Sequence, residues 1–343
     1  MKKFIFKTSL FVVPFAFLYV ITSLFYSSSE CPDLIRLGCF PNVFKECRNV
    51  FHDEFTRKIY FNKFSKRNNK TEKILTIGDS FSEQGNYGYT NYLAEKYGVL
   101  HMDRFISGNQ IQTLYELLNG DFFEKQNIEY VILENVERSF VSNAKKIDSS
   151  KVMMTSQLDN LVRNRKLSKE DDADAFFSKK TIQFPFSMFR YYFSQNYLSN
   201  RYVYNVVLTR DDLFSIKENN LLFVYKDLSC LEENNDVVEV QKLNNVLNDL
   251  SNKLRGKKIK LIVLPAPDKY DLYYDYIADK TIFPRPLFFN HLGNLKKNYV
   301  YIDSKKILSA ELESKKDIYF YDDTHWSPVA SKIIVEEIKK AIN

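Results

Sequence analysis

Histidine and cysteine are scarce in this chain, with four of each among 343 residues, and neither falls into a metal-ligand spacing. Without a CxxC or HxxxH pattern, no zinc site is expected, and no metal or cofactor enters the reading. Internal repeats and low-complexity segments are also missing, which excludes a repeat architecture. The net charge of +6 is spread: 49 basic and 43 acidic residues are interleaved, so no nucleic-acid footprint stands out. Charge disappears only once, over the 22 residues from Thr8 to Ser29.

That uncharged run follows the basic tip "MKKFIFK" and is long enough to cross a bilayer, which takes about 20 helical residues. The basic flank belongs on the cytoplasmic side, so the body after Glu30 is expected outside the cytoplasm. A cleaved signal peptide is the rival. Its apolar region is usually about 7–15 residues, and "FYSSSECP" has no Ala-x-Ala-like site. An uncleaved signal anchor is therefore expected, with the body held at the inner membrane. In an exported protein four cysteines (Cys31, Cys39, Cys47 and Cys230) suggest two disulfides of undetermined pairing.

What remains divides into a Cys-bearing lead-in and charged linker, 30–72, and an α/β domain, 73–343. Apolar runs alternate with helical periods: "KILTIG", "VLHMD", "IEYVILEN", "IKLIVLPA" and "NYVYID" read as strands. The segments 89–98, 110–125, 235–257 and 327–342 read as helices between and after them. This order predicts a central parallel sheet wrapped by helices, a three-layer sandwich. Ser327 and Pro328 are placed to start the last helix. Residues from 141 to about 235 are polar, Lys-rich and aromatic with no clean period, and read as an inserted cap.

Ligands of such sheets sit beyond the carboxyl ends of the strands. Three polar clusters fall there: Gly78-Asp79-Ser80, Ser107-Gly108-Asn109, and Glu134-Asn135 with Glu137-Arg138. A fourth, "YDDTHWSP", precedes the final helix and carries His325. A serine hydroxyl needs a base, and the base needs an orienting carboxylate. Ser80 and His325 supply the first two; Asp322 and Asp323 both lie within reach of the imidazole, and the spacing leaves the choice open. His52, His101 and His291 read as structural.

At these residues the chain resembles the SGNH (GDSL-like) hydrolase superfamily, through "IGDSFS" near the start of the α/β region and "YDDTHWSPVAS" at its end. The resemblance implies an SGNH/flavodoxin-like fold with Ser80 as nucleophile, and Gly108 and Asn135 as oxyanion-hole donors. A narrower resemblance is to SGNH-like polysaccharide O-acetyltransferases of the alginate-acetylation type, through "GDSF", "DTHW" and the Lys-x-x-x-Tyr of "PAPDKYDLY". In those enzymes Asp-Thr-His-Trp precedes Gly-Asp-Ser; here the blocks are rotated. The wider superfamily favours Asp322 as the acid and the narrower family Asp323.

The narrower resemblance also implies substrate-binding roles for Lys269 and Tyr273. Arg138 and Trp326 join them as candidates from their places beside the site. The expectation is a membrane-anchored O-acetyltransferase with a polysaccharide acceptor, fed by a separate multispanning acyl-export protein. An exported acetylesterase and a glycan-binding pseudoenzyme are the alternatives.

Overall fold

A computed structural model of the protein describes residues 1–26, 32–39, 46–66, 72–104, 106, 108–169, 179–197, 201–216 and 219–343. Eight strands run β1 (Asn62–Lys63), β2 (Ile74–Ile77), β3 (Val99–Met102), β4 (Tyr130–Val136), β5 (Val203–Val207), β6 (Asn220–Val224), β7 (Lys260–Ala266) and β8 (Val300–Tyr301). The helices used below are α1 (Lys2–Phe25), α2 (Asp33–Arg36), α3 (Tyr89–Ala94), α4 (Gln110–Asn119), α5 (Glu137–Lys145), α6 (Lys179–Tyr197), α7 (Val237–Gly256), α8 (Ser304–Glu311) and α9 (Pro328–Ile342).

Six strands form one parallel sheet in the order β1-β3-β2-β4-β7-β8. Alternate residues of its inner strands bury into opposite layers. Ile132, Ile262 and Leu264 pack with Tyr89, Leu308 and Ile334, beneath α3, α8 and α9. Val131, Leu133 and Val263 pack with Ile111, Leu114 and Leu247, beneath α4 and α7. Strands covered on both faces must be apolar throughout, which is why these runs read as continuous hydrophobic stretches rather than alternations. Ser327 caps α9 by accepting the Val329 N–H at 3.0 Å, with Pro328 in the first turn. This is the α/β sandwich that the alternating pattern predicts.

The chain reverses direction of travel at β2. From there it moves to β3 on one side and later to β4 on the other, so the carboxyl end of β2 opens at a topological switch point. Ser80 lies there, three residues past the end of β2.

Elsewhere the structure is more regular than expected. The lead-in contributes β1 as an edge strand against β3. The 141–235 stretch holds the helix Thr155–Lys169, α6, and an antiparallel pair, β5 with β6. His291 lies in the helix Phe288–Asn294. The two-disulfide expectation is corrected. Cys39 and Cys230 are free thiols, one packed in the core and the other 3.8 Å from the Asp268 carboxylate. Burial raises the Cys39 thiol to about 11 and Cys230 higher still, so both stay protonated and inert. Cys31 and the side chain of Cys47 lie outside the described residues.

Ile132 sits in the middle of the sheet with no exposed surface. Ile132→Ala is expected to lower the unfolding free energy by about 2–5 kcal/mol in a denaturant titration, through lost burial and a residual cavity.

Candidate active site

The loop that carries Ser80 begins where β2 can no longer carry a side chain. A Cβ added at Gly78 would lie 1.8 Å from Ser82 Oγ and 2.5 Å from Glu134 Oε2, so only glycine lets the turn close. Asp79 then fixes the turn on both sides. One carboxylate oxygen accepts the Phe81 N–H at 3.0 Å, and the other accepts the Val136 N–H at the end of β4 at 2.8 Å. Glu134 accepts from the Asp79 N–H at 3.0 Å and from Ser82 Oγ at 2.7 Å. Full burial, reinforced by the Asp79 charge, raises Glu134 far above an ordinary carboxyl, so it is held as the neutral acid. Ser80 projects from this braced turn.

The opposing loop, 319–326, is held from below by Lys269. Its ammonium has no exposed surface and donates to the carbonyls of Phe320 and Tyr321, each at 2.7 Å, and of Asp323 at 3.2 Å. Burial lowers its pKa to about 8, against the pull of Asp322 and Asp323. Trp326, buried beneath the loop, meets Phe81 edge-on at 5.0 Å, and its carbonyl accepts from Gln84 at 2.7 Å. The Ser80 loop and the histidine loop are thereby packed on each other.

Between them runs a chain of hydrogen bonds. His325 Nε2 is 2.7 Å from Ser80 Oγ, and His325 Nδ1 is 2.6 Å from Asp323 Oδ1. Asp323 Oδ2 accepts from Arg48 at 2.9 Å, and the Arg48 guanidinium lies 4.4 Å over the Phe320 ring. Asp33, from the segment after α1, binds the Thr324 N–H at 2.9 Å and its hydroxyl, with a carboxylate oxygen 3.9 Å from His325 Nδ1. Asp33, Asp323 and His325 place ligand-type atoms within 4.8 Å of one another. Nδ1 lies against Asp323, and Ser80, His325 and Asp323 form one continuous hydrogen-bonded chain.

Electrostatics follow from this packing. Burial opposes charge on Asp323, yet His325 and Arg48 outweigh it and hold the carboxylate well below its usual range. Burial likewise works against the imidazolium, but Asp323 outweighs it and keeps His325 above the ordinary imidazole value. Asp33 is raised to about 6 by burial and by the Asp323 charge. Asp322 is raised to about 6 by burial, which exceeds the opposing pull of Arg48.

The two aspartates are thus told apart. Asp323 touches the imidazole. Asp322 is fully buried, makes no hydrogen bond through either carboxylate oxygen among the described residues, and stands 3.6 Å from Arg48 Nε. A cleft of about 240 Å³ opens over Ser80 and His325, lined also by Arg36, Arg48, Tyr87 and Arg104.

Several of the candidate site residues are not among those lining the cleft. Lys269 and Tyr273 are fully buried, and Tyr273 OH accepts the Tyr319 N–H at 3.3 Å. Trp326 is in the core and presents no face for a sugar. Arg138 is clamped between Asp268 at 2.6 Å and Asp227 at 3.2 Å, joining the 141–235 stretch to the end of β7. The Asn135 amide donates to Gln110 at 2.8 Å and its oxygen accepts from Ser139, so local partners occupy it. Gly108 is exposed in open space, before the Asn109 cap of α4, and is not among the cleft-lining residues. Ser107 lies outside the described residues. Sequence reasoning missed Asp33 and Arg48, which reach the site from the lead-in with no spacing or period to mark them.

Residues 222–343 match the family model described as SGNH hydrolase-like domain, acetyltransferase AlgX. The C-terminal part of the α/β domain is SGNH-like. The match contains Lys269, Asp323 and His325 and begins downstream of Ser80. It supports an acetyltransferase or esterase type of activity. No curated protein and no solved structure gave a significant match.

Lys269→Met strands three buried carbonyls around an apolar side chain. The variant is expected to lose about 3 kcal/mol of stability by denaturant titration.

Proposed function

We propose that the protein is a membrane-anchored O-acetyltransferase that acts outside the cytoplasm on an exported or cell-surface polysaccharide, with α1 as its anchor. The observation that carries the chemistry is the continuous Ser80–His325–Asp323 hydrogen-bond chain at the mouth of the parallel sheet. The α1 helix from Lys2 to Leu24 is long and apolar enough to span a membrane, and most of its surface is exposed.

In this reading His325 Nε2 takes the Ser80 proton as Oγ attacks the acetyl carbonyl. Asp323 holds the Nδ1–H tautomer and stabilises the imidazolium. The negative oxygen of the tetrahedral intermediate is met by backbone donors. The Ser80 N–H is suited to this, since it donates to nothing among the described residues. His325 returns its proton to the departing group, leaving acetyl-Ser80. A sugar hydroxyl, deprotonated by His325, then takes the acetyl group. Arg48 and Asp33 act as positioning residues that hold the Asp323–Thr324–His325 turn. The acyl donor is delivered by a separate multispanning membrane protein.

An exported acetylesterase is the second reading. It uses the same relay with water as acceptor, and the partial exposure of Ser80 and His325 favours it. The intact relay weighs against a glycan-binding pseudoenzyme.

Purified full-length protein, a chromogenic acetyl ester and an oligosaccharide acceptor distinguish these readings by mass spectrometry. Wild type is expected to acetylate the sugar. Ser80→Ala should lose on the order of 10³-fold or more in rate; unchanged turnover in that variant sinks the enzyme reading. Acetate release with no labelled sugar selects the esterase.

His325 must be neutral to act as the base. Because its pKa is raised, the rate should climb with pH through a midpoint above about 6.5. Asp323→Asn is expected to cost on the order of 10⁴-fold. Asp322→Asn, which leaves the imidazole contact intact, should cost less than about tenfold in the same pH–rate series.

A further inference from the structure

Helix α6 carries Ile182, Phe186, Phe189 and Phe193 at intervals of four, three and four, so they form a single stripe. Each is more than half exposed, at 51–62 %. Isolated exposed apolar residues are ordinary, but a continuous aromatic stripe marks a surface that is covered in use. The helix has no acidic residue, and its charges are Lys179, Lys180 and Arg190, the last stacked 3.2 Å over Tyr202.

The same helix runs along the anchor, and part of the stripe borders the contact. Phe184 stacks on Tyr26 at 4.1 Å. Pro185, Met188 and Phe189 share an apolar groove with Leu18, Ile21 and Thr22 of α1, and Ile182 and Phe186 share a second with Phe15 and Tyr19. Helices in side-by-side contact occupy the same depth. Where the outer half of α1 is in the bilayer, the stripe of α6 meets lipid.

We propose that α6 is an interfacial membrane helix, lying beside α1 with the Ile182–Phe193 stripe in the acyl region and its basic residues at anionic headgroups. The proposal rests on the reading of α1 as a membrane anchor. It gives the site a fixed height above the bilayer. Gly38, at φ +96°, closes so tightly on α6 that an added Cβ would lie 2.2 Å from the Ser187 carbonyl oxygen, and five residues earlier Asp33 binds Thr324 beside His325. The segment 32–39 therefore joins the membrane helix to the histidine loop.

The test uses full-length protein in phosphatidylcholine–phosphatidylglycerol vesicles containing brominated acyl chains. The chain has one tryptophan, Trp326, which is buried and supplies a constant baseline. A tryptophan introduced by Phe189→Trp is expected to emit at shorter wavelength, and to be quenched severalfold more by brominated lipid than by aqueous iodide. Gln183→Trp, off the stripe, should show the reverse. Iodide quenching without lipid quenching at position 189 overturns the proposal. So does protection from both, which signals a second copy of the chain over the stripe. Phe15→Trp in α1 separates the two ideas: no lipid quenching there defeats the anchor reading, whereas quenching at 15 without quenching at 189 defeats only the α6 proposal.

Discussion

A buried ammonium organises this molecule. Lys269 spends its three donors on the carbonyls of Phe320, Tyr321 and Asp323, in the loop that carries Asp323 and His325. An unpaired charge at such depth would be prohibitive, and the compensation comes from the same loop in Asp322 and Asp323. The lysine therefore shapes the loop by hydrogen bonding while the loop holds the lysine charged. Asp322 belongs to this counter-charge, together with Arg48, which explains how a carboxylate adjacent to the relay stays out of it.

Much of this was legible from residues alone. The parallel sheet could be read because doubly covered strands must be continuously apolar. Ser80 and His325 could be read because both follow strand or loop positions at the sheet's carboxyl edge. The choice between Asp322 and Asp323 could not, because adjacent residues in an irregular loop differ by a side-chain direction that only the Lys269 anchorage fixes. Lys269, Tyr273 and Trp326 look functional as letters beside the site, yet each is used to build the loop from beneath.

Asp33 and Arg48 were illegible for a different reason. They belong to short helical turns without a repeating pattern, and their partners lie 291 and 275 residues away. Nothing local distinguishes them from solvated charges. The aromatic stripe of α6 was hidden similarly: the 141–235 stretch, read as a whole, dilutes a helical period that is confined to 12 residues and interrupted by Pro185. The order of the serine and histidine blocks along the chain is of little consequence. The sheet brings the serine and histidine loops to one mouth, and their order along the chain does not affect that meeting.

The hydrogen bond between Ser80 and His325 closes a span of 245 residues. Contacts of such separation form late, since the long loop must be restrained before they give anything back. Ser80 emerges early in synthesis, but His325 arrives only with the loop before α9. A chain caught partway through synthesis consequently carries a serine hydroxyl with no imidazole beside it. The pairing waits until residues near 325 have been made.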